Sequence, residues 1–269
     1  MPAIDVPTMF EAHRVNDAWT MLPSWLPVPG LGALPINSFL LKGKEPVLVD
    51  TGLGALGDAF VSELEKEIDP GDLRWIWLSH MDADHIGNLG RVLERAPNAK
   101  IVTNFLGMGK MNLAGLDLSR VHMLEPGAVL EAGGHRLVPV RPPYYDAPET
   151  IGFFDVKTRV FFAADSFGAL LPEPVHEIAE LPADALRDGL VGWSSIDAPW
   201  LATANPATLG ATLAALDRID PDFVLSGHLP LARRHMSSLT RIVADAYCRG
   251  ATSAVDPLAI QHVEAAFAA

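Results

Sequence analysis

The stretch that decides the fold is Ser79-His80-Met81-Asp82-Ala83-Asp84-His85, which holds two histidines and two aspartates within six residues. It directly follows the apolar run at residues 74–78, which has the length and composition of a buried strand. Imidazole and carboxylate groups at this spacing can converge on one or two divalent ions. The alternative is a polar turn that caps a helix at residues 86–96. We favour the metal site, because a surface turn has no need of four such side chains after so apolar a strand.

Composition limits the classes of function. The chain has 269 residues, of which 49% are hydrophobic and 20% charged, enough to bury a full core as one large α/β domain or two small ones. Its net charge of −13 argues against nucleic-acid and anionic-membrane partners, since phosphate binding needs a basic surface. The first residues lack a signal-peptide pattern, and no run reaches about 18 apolar residues. We therefore expect a cytoplasmic protein with no membrane partner.

The alternation of apolar strands and amphipathic helices predicts an α/β protein. We expect short edge strands and a loop in the proline-rich first forty residues, then regular elements. The predicted strands lie at residues 37–41, 46–49, 74–78, 100–103, 151–155, 159–164 and 223–225, with further short strands over 121–140. The predicted helices lie at residues 56–68, 86–96, 105–112, 206–219, 236–249 and 257–267. Strands that end in Asp50, His80, Asp146, Asp165 and His228 recur throughout the chain. If side chains at all these strand ends contribute to one site, the chain forms a single domain over residues 1–269. We expect a weakly patterned insertion or lid around residues 170–205.

With these motifs in place, the chain resembles the metallo-β-lactamase superfamily between residues 37 and 230. The resemblance rests on Val49-Asp50-Thr51-Gly52, on residues 79–87, on Ala164-Asp165-Ser166-Phe167-Gly168 and on Ser226-Gly227-His228, which occur in the family's order. It implies a four-layer αβ/βα sandwich of two mixed sheets with external helices. It also implies a two-metal site along one edge of the sandwich.

The resemblance assigns roles to seven side chains. By position, one metal would take His80, Asp82 and Asp146, the other would take Asp84, His85 and His228, and Asp165 would bridge them. Asp84 and Asp165 are the candidate catalytic residues. Asp82 and Asp146 stand where the family usually has histidine, and Tyr144 or Tyr145 could take the place of Asp146. Weak binding or loss of the first metal is a further alternative.

The acidic residue Asp82 and the segment at residues 163–168 are similar to the diiron branch of the family, the flavodiiron and oxygen-binding diiron proteins. A flavodiiron protein would also carry a C-terminal flavodoxin domain, for which these 269 residues leave no room, so we expect no flavin route. Four aspartates cancel the charge of two divalent ions, which predicts a weaker Lewis acid than a histidine-rich site. Hard carboxylates favour two ions of iron or manganese per chain, with zinc as the alternative.

Three functions follow from these features. The first is a dinuclear metal-dependent hydrolase, whose bridging hydroxide attacks a small activated substrate, an apolar or aromatic ester, lactone, thioester or ether. The second is a non-haem diiron oxidoreductase or a protein that binds O2 or NO. The third is a metal-free scaffold subunit, for which four close aspartates without a cation would be unfavourable. The expected partner is a small molecule, with a homo- or hetero-oligomer left open.

Overall fold

Two β-sheets pack face to face, and helices cover their outer faces. The computed structural model describes residues 4–249, so the helix predicted at residues 257–267 lies outside the described part. The first sheet comprises β1 (Thr8–Met9), β2 (His13–Arg14), β3 (Trp19–Val28), β4 (Gly32–Leu41), β5 (Val47–Val49), β6 (Trp75–Trp77), β7 (Lys100–Thr103) and β8 (Val121–Met123). The second comprises β9 (Leu130–Ala132), β10 (His135–Val140), β11 (Gly152–Asp155), β12 (Val160–Phe162), β13 (Phe223–Ser226) and β14 (Leu229–Arg233). The helices are α1 (Gly57–Glu67), α2 (Ala83–Ile86), α3 (Leu89–Arg95), α4 (Phe105–Leu113), α5 (Ala183–Asp197), α6 (Pro206–Ile219) and α7 (Met236–Tyr247).

Both sheets are mixed. The first has the order β1-β3-β4-β5-β6-β7-β8, with β2 also paired to β3. Its strands are antiparallel as far as β5 and parallel from β5 to β8. The second has the order β14-β13-β12-β11-β10-β9, and only its β12–β13 pair is parallel. Parallel neighbours align the carboxyl ends of β5 and β6 in one sheet, and of β12 and β13 in the other.

Three apolar clusters hold the layers together. Residues such as Phe39, Trp77 and Phe162 fill the space between the two sheets. A second cluster packs α1, α3 and α4 on the outer face of the first sheet, and a third packs α5, α6 and α7 on the second. Each helix buries one apolar stripe, which is what an amphipathic helix on a sheet requires. The predicted αβ/βα sandwich is confirmed.

The N-terminal segment differs in part from its prediction. The short strands β1 and β2 are present, but β3 and β4 form a ten-residue antiparallel hairpin in place of a loop. Every second residue pair of the hairpin contains a proline: Pro23 pairs with Asn37, Trp25 with Pro35, and Pro27 with Ala33. At these pairs the backbone N–H groups of β4 point away from β3. Ala33 N–H donates to the Leu171 carbonyl and Asn37 N–H to the Gly227 carbonyl. Proline therefore removes no hydrogen bond from the hairpin, which explains why these strands tolerate it.

The helix predicted at residues 86–96 is interrupted. Gly87 and Asn88 separate α2 from α3, because the loop after β5 passes close by. A Cβ atom on Gly87 would lie 2.3 Å from the backbone N of Gly54, and the Asn88 amide donates to the carbonyls of Thr51 and Leu53 at 2.7 and 2.9 Å. This contact separates the short helix α2, which carries candidate ligands, from the helix packed on the sheet.

Residues 170–205 contain a regular element that the sequence did not predict. Helix α5 is 15 residues long and buries Leu186 and Leu190 in the cluster shared with α6 and α7. A role for this segment as an insertion or lid stays a prediction. Within residues 4–249, no helix is both long and apolar enough to cross a membrane.

Candidate metal centre

The candidate ligands collect at one edge of the sandwich because they follow strand ends. His80 comes three residues after β6, Asp165 three residues after β12, and His228 lies between β13 and β14. Helix α2 contributes Asp84 and His85, and Asp82 precedes it directly. Asp146 lies in the connection between β10 and β11. The two packed sheets thus direct side chains from distant parts of the chain into one space.

The structure brings all seven predicted side chains together. Ligand atoms of His80, Asp82 and Asp146 lie within 4.8 Å of one another, and so do those of Asp84, His85 and His228. Asp165 lies between the two groups, with a carboxylate oxygen 3.3 Å from His80 Nε2, 3.2 Å from His85 Nε2 and 3.5 Å from His228 Nε2. Two ions that share one carboxylate fit this arrangement, with three nitrogen and several oxygen donors in total.

Each imidazole is oriented by a contact at its other nitrogen. His228 Nδ1–H donates to the Pro35 carbonyl at 2.9 Å, and His85 Nδ1–H donates to Asp50 Oδ2 at 2.9 Å. His80 Nδ1 lies 3.0 Å from Ser79 Oγ. A proton held on Nδ1 leaves the Nε2 lone pair free to bind a metal, and such outer contacts fix the ring orientation.

The buried atoms that face the centre are unsatisfied. His80 Nε2, His85 Nε2 and Asp165 Oδ1 have no hydrogen-bond partner among residues 4–249, although all three side chains are nearly inaccessible. Buried polar atoms without partners are costly, and they are expected where a bound ion completes the site. The donor set therefore fits a dinuclear metal centre.

Charge interactions within the cluster are strong. Burial raises the pKa of Asp165, but His85, His80 and His228 outweigh it and hold the pKa of that carboxyl well below its usual value. Burial lowers the pKa of His228, but Asp165 and Asp84 outweigh it and raise the pKa to about 9. Nearby carboxylates, Asp165 foremost, outweigh burial at His80 and His85 as well and raise the pKa of each imidazole. Because a proton and a metal ion compete for the same imidazole nitrogen, metal binding at this centre is linked to pH.

The turns around the centre hold strained backbone. Asp50, Ala164 and Phe167 adopt positive φ angles of 55°, 47° and 69°. Such conformations cost about 1–3 kcal/mol each for non-glycine residues and cluster at functional sites. Gly227 lies so close to the centre that a Cβ atom there would be 2.8 Å from His85 Cε1. The Ser-Gly-His motif thus requires glycine for close approach.

The tyrosines proposed as alternatives to Asp146 are engaged in other contacts. The Tyr144 hydroxyl accepts a hydrogen bond from Phe167 N–H at 2.5 Å within the core. The Tyr145 ring packs against Trp200 and beneath the Arg141 guanidinium. Asp146 Oδ2 lies 3.8 Å from His80 Nε2. Asp146 is therefore the candidate that these contacts favour as a ligand.

Three residues near the centre were not among the ligands or catalytic residues predicted from the sequence. Asp50 accepts hydrogen bonds from His85 and Ser79, and the terminal Asp-Thr-Gly of β5 was its visible signal. Trp193 packs edge-on against His228, with ring centroids 5.4 Å apart. Asp197 ends α5, and burial together with Asp165 raises its pKa to about 7. No motif surrounds these last two residues in the sequence.

Comparison with known proteins agrees with the fold. The family model described as "Metallo-beta-lactamase superfamily" matches residues 31–228. The chain belongs to this superfamily. The match includes all seven candidate ligands, and it confirms the resemblance found in the sequence.

Its relatives are flavodiiron proteins. The chain is 30% identical over 202 residues to a putative diflavin flavoprotein A 1 of Thermosynechococcus vestitus, covering 74% of this chain and 34% of the relative. It is 25% identical over 203 residues to the flavo-diiron protein FprA2 of Clostridium acetobutylicum, covering 74% and 49%. The rubredoxin oxygen:oxidoreductase of Desulfovibrio gigas has a similar fold, with a TM-score of 0.77 at 17% identity over 87% of this chain and 61% of that one. The chain thus spans a third to a half of the curated relatives' length.

The prediction of a hydrolase is wrong. The curated relatives that the chain matches are diflavin and flavo-diiron proteins. The physical reason lies in the donor set. Four aspartates cancel the charge of two divalent ions, so the centre is poorly suited to lower the pKa of bound water for hydrolysis.

Proposed function

We propose that this chain is a non-haem diiron oxidoreductase that reduces O2 or NO with electrons taken from a separate one-electron donor. The observation that carries the proposal is the cluster itself, in which two groups of donors share Asp165 and carboxylates outnumber imidazoles by four to three. Oxygen-rich donor sets suit iron, and they stabilise its more highly charged state. The flavodiiron relatives support the same conclusion.

The proposed ligand roles follow the geometry. His80, Asp82 and Asp146 would hold one iron, and Asp84, His85 and His228 would hold the other. Asp165 would be shared by the two, since its carboxylate reaches imidazoles of both groups. When bound, a pair of irons supplies one-electron redox steps to a small diatomic acceptor.

The protein's own part is to orient the ligands. Asp50 and the Pro35 carbonyl hold the His85 and His228 rings with Nε2 towards the centre. Trp193 packs edge-on against His228 from α5.

The test begins with metal content. Protein from iron-supplemented cells is expected to carry two irons per chain by elemental analysis. After chemical reduction without oxygen, stopped-flow spectra should change on addition of O2 or NO, and gas electrodes should record consumption. Protein stripped by a chelator is the control. Two zinc ions per chain with no iron, or reduced iron protein that consumes neither gas, would overturn the proposal.

A further inference from the structure

Asp197 is a carboxylate at the centre that the superfamily pattern does not account for. It is the last residue of α5, in the segment with the weakest sequence pattern. One oxygen each from Asp197, Asp146 and Asp165 lie within 4.8 Å of one another. Three carboxylates this close repel one another unless a cation lies between them.

No lysine or arginine of residues 4–249 fills that role for Asp197. Asp197 makes no ion pair with a lysine or arginine of residues 4–249, and its buried Oδ2 has no hydrogen-bond partner there. A second observation points to the same space. His80 Nε2 is fully buried without a hydrogen-bond partner in the described chain, and it lies 3.8 Å from Asp146 and 3.3 Å from Asp165. His80 Nε2 and Asp197 therefore have two neighbours in common, the carboxylates of Asp146 and Asp165.

Packing determines where Asp197 lies. Trp193, one helical turn earlier on the same face of α5, contacts His228. Gly168 leaves room for that ring, since a Cβ atom at this position would be 2.6 Å from Trp193 Cδ1. Earlier in α5, Leu190 is fully buried in the cluster shared with α6 and α7. The end of α5 is thus held against the centre, and Asp197 is delivered to it by a packed helix.

We propose that Asp197 is a further metal ligand, on the ion held by His80, Asp82 and Asp146. The assignment rests on the proposed diiron function. It raises the number of carboxylates at the centre to five, one more than the charge of two divalent ions. A centre with that excess favours the oxidised irons, because only the higher charge offsets all five carboxylates.

The test is the isosteric change Asp197→Asn, measured by anaerobic titration of the metal-free protein with Fe²⁺ against a competing chelator. We expect the variant to lose about ten-fold or more in affinity for one of its two irons, since even outer contacts of a ligand contribute that much. The iron-loaded variant should show a changed Mössbauer signal for one iron and a higher reduction potential. The matched control is Asp188→Asn, an exposed aspartate on the same helix whose change removes the same charge.

Thermal melts separate a ligand from a structural residue. Removing one of three clustered carboxylates relieves repulsion, so metal-free Asp197→Asn should melt no lower than metal-free wild type. Its gain in melting temperature on adding Fe²⁺ should be smaller than that of wild type. Two irons bound to Asp197→Asn as tightly as to Asp188→Asn would overturn this assignment and leave the diiron function standing. A wild-type protein that binds no iron would overturn both.

Discussion

Asp50 offers the sharpest test of how the centre is built, because it contacts His85 without being a candidate ligand. Its buried carboxylate accepts three hydrogen bonds, from Ser79 N–H at 2.8 Å, Ser79 Oγ–H at 2.7 Å and His85 Nδ1–H at 2.9 Å. The change Asp50→Asn keeps the shape of the side chain. Asparagine also tolerates the positive φ angle of 55° at this position, so the backbone is preserved.

The amide cannot replace all three contacts. With its oxygen towards His85, its NH2 group meets Ser79 N–H, and two donors face each other. With the amide reversed, His85 Nδ1 must accept, so the ring proton moves to Nε2 and blocks the metal-binding lone pair. Either way one hydrogen bond to a charged acceptor is lost, which lowers the free energy of unfolding by about 1.5–3 kcal/mol.

The expected effects are measurable in two ways. The affinity for Fe²⁺, from anaerobic chelator competition, should fall by about 10–100-fold, as is typical when the partner of a ligating histidine is lost. The melting temperature of the metal-free protein should fall by roughly 3–12 °C, at about 2–4 °C per kcal/mol. Asp58→Asn, an exposed aspartate on α1, is the control. An Asp50→Asn protein that folds and binds iron as tightly as wild type would refute the reasoning.

Three further changes test the bridge, the core and the packing of α5. Asp165→Asn removes the carboxylate shared by both groups, so elemental analysis should find both irons lost. Asp155→Ala leaves buried donors of Trp19 and other residues without their charged acceptor, and urea unfolding should show a loss of about 3–5 kcal/mol at neutral pH. Burial raises the pKa of Asp155, but neighbouring hydrogen bonds outweigh it and lower it below the unfolded value. The ionised carboxylate therefore contributes its full share of the free energy of unfolding above about pH 4, and this share is lost as the pH falls through the lower folded pKa. The difference in free energy of unfolding between Asp155→Ala and wild type should become smaller over that range. Gly168→Ala places a Cβ atom 2.6 Å from Trp193 Cδ1 and should cost about 1–3 kcal/mol with weaker iron binding.

Each of these three predictions would be contradicted by a specific result. One iron retained in Asp165→Asn would show that the carboxylate does not bridge. A difference between Asp155→Ala and wild type that stays constant down to acid pH would show that the carboxylate's ionisation is not what stabilises the fold. Gly168→Ala with unchanged melting temperature and iron affinity would mean that α5 moves freely. Gly192→Ala is the matched control for that change, because a Cβ atom on Gly192 of the same helix meets no atom within 4 Å.

The sequence determined the fold and most of the centre because both depend on local signals. Apolar runs mark strands such as β6, and the polar residues after them mark strand ends at a common edge. His80, Asp84 and His85 were recognisable because their spacing along the chain is itself the motif. The acidic residue Asp82 likewise pointed to the diiron alternative, although the sequence analysis placed a hydrolase first.

Only the tertiary structure decided the features that depend on contacts between distant residues. The prolines of β3 and β4 fit a long hairpin because of its register, which composition does not reveal. The outer partners of the imidazoles lie far from them in sequence, as Pro35 does from His228. Asp197 reaches the centre because helix α5 packs on the second sheet, and no local pattern of residues records that packing. Strand ends can be read along a chain, but the approach of one packed element to another is set by the three-dimensional fit of their side chains.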